Sequence, residues 1–240
     1  MKITELIKKP DIVTLLNASF GSYSIFSSYM GNFDAASRFI LLAFIADGID
    51  GWWARLKDKT TDFGVNLDSL SDCISFGVAP ALLIWSSNLA PQNFAVMLAS
   101  IALILCGVLR LARFNILFCE TEGEIFIGLP IPAIGLLFAT LWLSKIKIPN
   151  VLVVILAYLT ALLMISTVSY PNFKGIINDP RGIFMGSLVG FTLLMTIILP
   201  DKGQFFFPKF LFVVILLYVC VSPLYQWKRS QPVPEADSLD

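Results

Sequence analysis

The chain has 240 residues, 57% hydrophobic and only 14% charged, with a mean hydropathy of +0.79, whereas soluble domains carry about 25% charged residues; a soluble globular fold is disfavoured. Lys plus Arg and Asp plus Glu stand at 17 each, so no net basic field exists to attract nucleic acid. Histidine is absent, which excludes imidazole metal sites and Ser-His or Cys-His catalysis and leaves acid–base chemistry to carboxylates or lysine.

Residues 1–10 place Ile3, Leu6 and Ile7 at i, i+3 and i+4 beside Lys2, Lys8 and Lys9. That pattern suits a short amphipathic helix in the headgroup layer and lacks the compact apolar core and A-x-A site of a cleavable signal. A membrane-spanning helix needs about 20 predominantly apolar residues, and eight such stretches follow at 11–31, 34–54, 64–87, 93–117, 127–144, 150–169, 182–200 and 205–226. Short loops carrying Pro91, Pro149, Pro171, Pro180, Pro200 and Gly203 separate them. The expected fold is an all-α integral membrane bundle of about eight helices over 11–226, with a disordered polar tail at 227–240.

With the N-terminus inside, twelve of the seventeen Lys and Arg fall on the inner side, and Arg38, Lys145, Lys147, Lys202 and Lys209 outside. Both termini are thus expected in the cytoplasm. The first span carries Asn17, Ser19, Ser22, Ser24, Ser27 and Ser28, too polar to face lipid all round, and is expected to pack inside the bundle. Cys73, Cys106, Cys119 and Cys220 form no C-x-x-C pair and read as buried thiols.

Charge within a span is costly, so the clustering of carboxylates carries the chemistry. The second span ends with Asp47, Asp50 and Arg55, and the third begins with Asp68 and Asp72. Spacings of three and four put each acidic pair on one helix face, and a short loop would bring the two faces together. Four carboxylates in a low-dielectric pocket repel unless a cation lies among them. An oxygen-only donor set suits Mg²⁺, Mn²⁺ or Ca²⁺, and four carboxylates suit two ions better than one.

Gly48, Gly51, Ala54 and Gly64 leave backbone open to a bulky diphosphate, although Gly48 or Gly51 alone would equally serve helix packing. Arg55 could hold phosphate oxygens or anchor the interface. Arg110 and Arg113, three apart in L-R-L-A-R-F-N with Asn115 nearby, could bind a carboxylate or phosphate or act as anchors. Asn17 has two readings, substrate contact and helix–helix hydrogen bonding. Ser69 and Ser75, beside the aspartates, could contact substrate but read more readily as small polar packing residues. A carboxylate-lined cation transporter is the alternative from a different functional class.

The string Asp47, two residues, Asp50-Gly51, two residues, Ala54-Arg55, eight residues, Gly64, three residues, Asp68, three residues, Asp72 resembles the signature of the CDP-alcohol phosphotransferases. Three further strings resemble the branch that uses CDP-diacylglycerol and serine: Asp68 through Ala81, Leu109-Arg110-Leu-Ala-Arg113-Phe-Asn115, and Phe126-Ile-Gly-Leu-Pro130-Ile-Pro132. Pro10, Thr14 and Asn17 add a weak match upstream; Ser71 stands where the branch more often has alanine.

This resemblance implies a membrane enzyme of phospholipid biosynthesis that moves a phosphatidyl or archaetidyl group from a CDP-lipid donor to L-serine and releases CMP. It implies two divalent metal ions on Asp47, Asp50, Asp68 and Asp72, with Asp72 also taking the acceptor's proton. Gly48, Gly51, Ala54, Arg55 and Gly64 would meet the nucleotide and diphosphate, while Arg110, Arg113, Asn115 and Asn17 would meet acceptor or phosphate. A homodimer among membrane lipids, with its site facing the cytoplasm, is expected. Inositol phosphate, glycerol phosphate and choline are the alternative acceptors.

Overall fold

Helix boundaries in this chain follow its punctuation. In the computed structural model the described residues are 3–56, 61–87, 89, 92–118, 125–171, 180–199 and 205–229. A single turn, α1 (Ile3–Leu6), precedes α2 (Lys9–Tyr29), whose first turn holds Pro10 and Asp11. The Lys8 amide donates to Asp11 Oδ2 at 2.7 Å, satisfying a donor that a helix start leaves free. Helix α3 (Phe33–Leu56) opens with Asn32 Oδ1 accepting from the Ala35 amide.

Thr61 caps α4 (Asp62–Asp72) by accepting from the Gly64 amide. The helix then widens into one π-helical turn, Cys73–Val78, and resumes as α5 (Ala79–Ser86). Helix α6 (Phe94–Phe118) follows, then strand β1 (Ile125–Ile127), α7 (Ile131–Leu143), α8 (Asn150–Ile165) and strand β2 (Ser169–Pro171). The chain continues through α9 (Pro180–Ile198) and α10 (Phe206–Arg229).

The all-helical expectation is met in outline, since each of the eight predicted stretches contains a long helical rod. Among the described residues, two rods, Asp62–Ser86 and Phe94–Ile116, are long and apolar enough to cross a membrane; 131–143, 150–165, 186–198 and 206–221 are shorter apolar helices. The start of the fifth stretch and the end of the sixth, which stops at Ile165, differ from expectation. The fifth stretch becomes helical only at Ile131, because Pro130 stands at the cap and Pro132 in the first turn, where a missing amide costs nothing. Residues 125–127 instead pair antiparallel with 169–171, Phe126 opposite Tyr170.

Arg113 fixes that two-stranded ribbon. Its guanidinium donates to the carbonyls of Ile127 and Met164, each at 2.9 Å, and to Ile165 at 3.0 Å. The last two are at the C-terminal end of α8, where free carbonyls and the helix dipole favour a cation. Gly128 lies directly beneath with φ +80°, and a Cβ there would strike Arg113 and the Met164 carbonyl. Glycine is required by backbone angle and by space.

Helix α7 forms the centre, with Ile131, Ile134, Leu137, Phe138, Leu141 and Leu143 all buried. Phe76, in the π turn, packs edge-on to Phe44 of α3 at 6.4 Å. At the far end of α3, Trp142 Nε1 donates to Asp34 and Lys145 pairs with the same carboxylate, pinning α7 to α3.

The first long helix departs from its expectation. Its buried residues are Asp11, Thr14, Asn17, Gly21, Ser24 and Ser28, while Ile12, Leu15, Leu16, Tyr23 and Phe26 are exposed. It is not wholly internal but turned inside out, polar edge inward and apolar edge outward. The cysteine reading also needs correction: Cys220 is exposed, and Cys73 and Cys106 are only half-buried. An apolar run does not tell which of its positions a neighbouring helix covers. Cys119 and the 230–240 part of the tail lie outside the described residues.

Candidate active site

Helix α2 packs against both α3 and α4, and the acidic faces of α3 and α4 converge beside it. One carboxylate oxygen each from Asp47, Asp50 and Asp68 lies within 4.8 Å of the others. Asp50 is 5% exposed, and its Oδ2, like Oδ1 of Asp68, is buried without a hydrogen-bond partner among the described residues. Three anionic groups converging in a poorly solvated space repel strongly. Unpaired oxygen atoms aimed at one another are the donor set of a hard divalent cation, so the residues present fit such an ion.

Asp72, fully inside the protein, is the fourth carboxylate. Its carboxyl is within hydrogen-bonding reach of Asp47, and its Oδ1 accepts from Asn17 Nδ2 at 3.2 Å. An ionised carboxylate can only accept, so this contact fixes the orientation of the Asn17 amide. Asn17 Oδ1 is then left buried and unpartnered among the described residues, an acceptor beside Asp72. Thr14, one turn earlier on the same face, lies close to Asp50, and its hydroxyl donates to the Pro10 carbonyl at 3.5 Å.

Arg110, on α6, supplies the positive charge. It is 5% exposed, sits in the field of Asp47, Asp68 and Asp72, and has its guanidinium 5.1 Å from the Phe114 ring centre. Asn115 accepts from Ser69 Oγ at 2.9 Å, tying α6 to α4. The structure therefore separates two arginines that sequence spacing paired: Arg110 faces the acids and Arg113 holds backbone carbonyls.

The glycines also divide. Among the described residues, a Cβ built on Gly48 or Gly51 meets nothing within 4 Å, so neither packs against a described helix and both front open space. At Gly64 a Cβ would stand 3.1 Å from Asp11 Oδ1 and 3.3 Å from Thr61 Oγ1, a crease lined by a carboxylate and a hydroxyl. The Ala54 and Arg55 side chains lie outside the described residues.

Sequence reading passed over two participants, Asp11 and Tyr218, and gave Ser75 chiefly to packing. Asp11 is 5% exposed and acts electrostatically on Asp50; the signal was its i, i+3, i+6 register with Thr14 and Asn17. Ser75 donates to the Asn17 carbonyl at 2.9 Å. Tyr218 of α10 lies in the field of Arg110, its ring centre 5.6 Å from that of Tyr170 and tilted 46° to it, a contact between distant segments that no local pattern announces.

Known proteins resemble this chain in sequence. The family described as CDP-alcohol phosphatidyltransferase matches over residues 8–168. An archaetidylserine synthase of Methanothermobacter thermautotrophicus is 40% identical over 180 residues, 72% of this chain and 74% of that protein. A CDP-diacylglycerol–serine O-phosphatidyltransferase of Methanocaldococcus jannaschii is 41% identical over 176 residues, 71% of this chain and 77% of its own. One of the same name from Bacillus subtilis is 33% identical over 165 residues, 69% and 90% of the two chains.

Proposed function

Since the chain belongs to the CDP-alcohol phosphatidyltransferase family, we propose that it transfers a phosphatidyl or archaetidyl group from a CDP-activated lipid to the hydroxyl of L-serine, releasing CMP. The observation that carries the reading is the meeting of Asp47, Asp50 and Asp68 with Asp72 and the buried cation Arg110 beside them. The names of the relatives support serine as acceptor.

Asp47, Asp50 and Asp68 would hold divalent metal, with Asp72 completing a two-ion site. The metal, when bound, offsets the negative charge of the diphosphate. The protein's own groups do the remaining work. Asp72 takes the proton from the serine hydroxyl; the freed oxygen bonds to the lipid-side phosphorus, and the bond from that phosphorus to the CMP oxygen breaks. Asn17 holds Asp72 through Nδ2.

Arg110 faces the developing phosphate charge or the serine carboxylate. Its neighbour Arg113 keeps the 125–130 segment in place, so the anion-binding role of that pair rests on Arg110. Gly48 and Gly51 admit the nucleotide and its diphosphate close to backbone, with Gly64 at the margin, and Arg55 follows in the same motif. The lipid tails require an opening to the bilayer and the serine an opening to water. This reading therefore has all eight rods in the membrane, residues 1–10 on the inner interface, the site just inside the cytoplasmic face, and a homodimeric protein.

The test is CMP release by purified protein supplied with CDP-diacylglycerol or CDP-archaeol and Mn²⁺ or Mg²⁺, comparing serine with inositol phosphate, glycerol 3-phosphate and choline. Release that depends on serine supports the proposal. Release with a different acceptor keeps the chemistry and overturns serine; cation flux without CMP would favour a transporter.

A further inference from the structure

The helix carrying Asp72 is not regular. Immediately after the aspartate, residues 73–78 form a π turn, closed by the Ala79 amide bonding to the Ile74 carbonyl five residues back. A π turn rotates everything after it relative to an α-helix, and such turns persist where another contact repays the poorer geometry. Here Ser75 lies inside the turn, is completely buried, and donates from Oγ to the main-chain carbonyl of Asn17 at 2.9 Å.

Opposite Ser75 stands Gly21, one turn beyond Asn17. A Cβ at Gly21 would be 2.7 Å from Ser75 Cα and 2.9 Å from its Cβ, closer than real Cβ atoms come, and the obstacle is backbone that cannot swing aside. The absence of a side chain at 21 therefore sets how closely α2 approaches the π turn. Asn17 is held twice across this junction: its backbone by Ser75, its side chain on Asp72. Residues 17, 21, 72 and 75 form one closed loop of contacts between two helices.

We infer that Ser75 and Gly21 are positioning residues, which act through Asn17 to hold the Asp72 carboxylate in line with the acceptor hydroxyl. The inference rests on the role of Asp72 given above. Neither residue reaches the site: Ser75 bonds to backbone and Gly21 has no side chain. Their effect should therefore fall on the chemical step and leave substrate affinity largely alone. Partners that orient a reacting group in this way are commonly worth 10–100-fold when removed.

A double-mutant cycle tests this, using full-length protein with saturating donor, acceptor and Mn²⁺. Ser75→Ala removes one hydroxyl without adding bulk. It is expected to lower kcat about tenfold while KM for the acceptor stays within about twofold. Asn17→Ala lowers kcat by itself; if Ser75 acts through Asn17, adding Ser75→Ala to that variant changes kcat by less than about twofold.

Gly21→Ala, which pries the helices apart, is expected to match Asn17→Ala. Multiplying effects in the double variant, or an unchanged kcat in Ser75→Ala, would overturn the inference. Equal losses in kcat and affinity with a lowered melting temperature would do so too, marking a plain packing defect. The cycle is read with whichever acceptor the wild type uses, so failure of serine as acceptor is seen separately in the wild type; a wild type inert with every acceptor overturns both readings.

Discussion

Helices α2 and α7 are both packed against α3, yet they bury opposite chemistry. Inward from α2 come Asp11, Thr14, Asn17, Ser24 and Ser28; inward from α7 come Ile131, Ile134, Leu137, Phe138 and Leu141. In water the first would be unstable and the second ordinary. In a bilayer the apolar outer edge of α2 is satisfied by lipid, and its polar inner edge is free to serve a site. Helix α7 supplies the rigid mass against which that site is held.

Chelation is the sharpest way to break this contrast. Removing divalent metal is expected to abolish CMP release completely and leave the α7 core folded, with activity restored by Mn²⁺ or Mg²⁺. Protons and metal compete for the same carboxylate oxygens. Activity lost on acidification should thus be partly recovered by more metal, and an acid limb indifferent to metal concentration would count against the assignment.

Next in size is Asp72→Asn, expected to lower kcat about a thousandfold without loss of folded protein, measured by CMP release beside thermal unfolding. A pair of substitutions then separates the two helices directly. Asn17→Leu on α2 should cost about 10–100-fold in kcat with little change in stability. Leu137→Ala on α7 should cost about 2–5 kcal/mol of stability and keep the activity of the molecules that remain folded. Exchange of these two outcomes would show that α2 is scaffold. The smallest effect belongs to Phe26→Ala on the outer edge of α2, 63% exposed, which should alter stability by no more than about 0.5 kcal/mol.

Much of this organisation is local and therefore readable along the chain. Asp47, Asp50, Asp68 and Asp72 sit at helical spacings on two consecutive helices, and spacing alone brings them together. The eight rods follow from apolar run length and from prolines such as Pro130, Pro132 and Pro149. What stayed hidden depends on tertiary geometry.

Ser75 read as a packing residue, because nothing in a sequence announces a π turn or the hydrogen bond it permits. Arg110 and Arg113 share one helical face by spacing, but a strand at 125–127 and the end of α8 draw the second away to their carbonyls. The polarity of α2 was visible, whereas its inside-out orientation was not, since polarity alone does not distinguish a buried helix from one with a polar edge. Tyr218 reaches the neighbourhood of Arg110 from more than a hundred positions away, beyond any local pattern.

The most direct measurement follows isotopically labelled serine into lipid. Wild-type protein with CDP-lipid and Mn²⁺ should place label in the lipid fraction in a one-to-one ratio with CMP, and Asp72→Asn should lose both together. Label in lipid that survives Asp72→Asn, or CMP released with no serine in the lipid, would contradict the account.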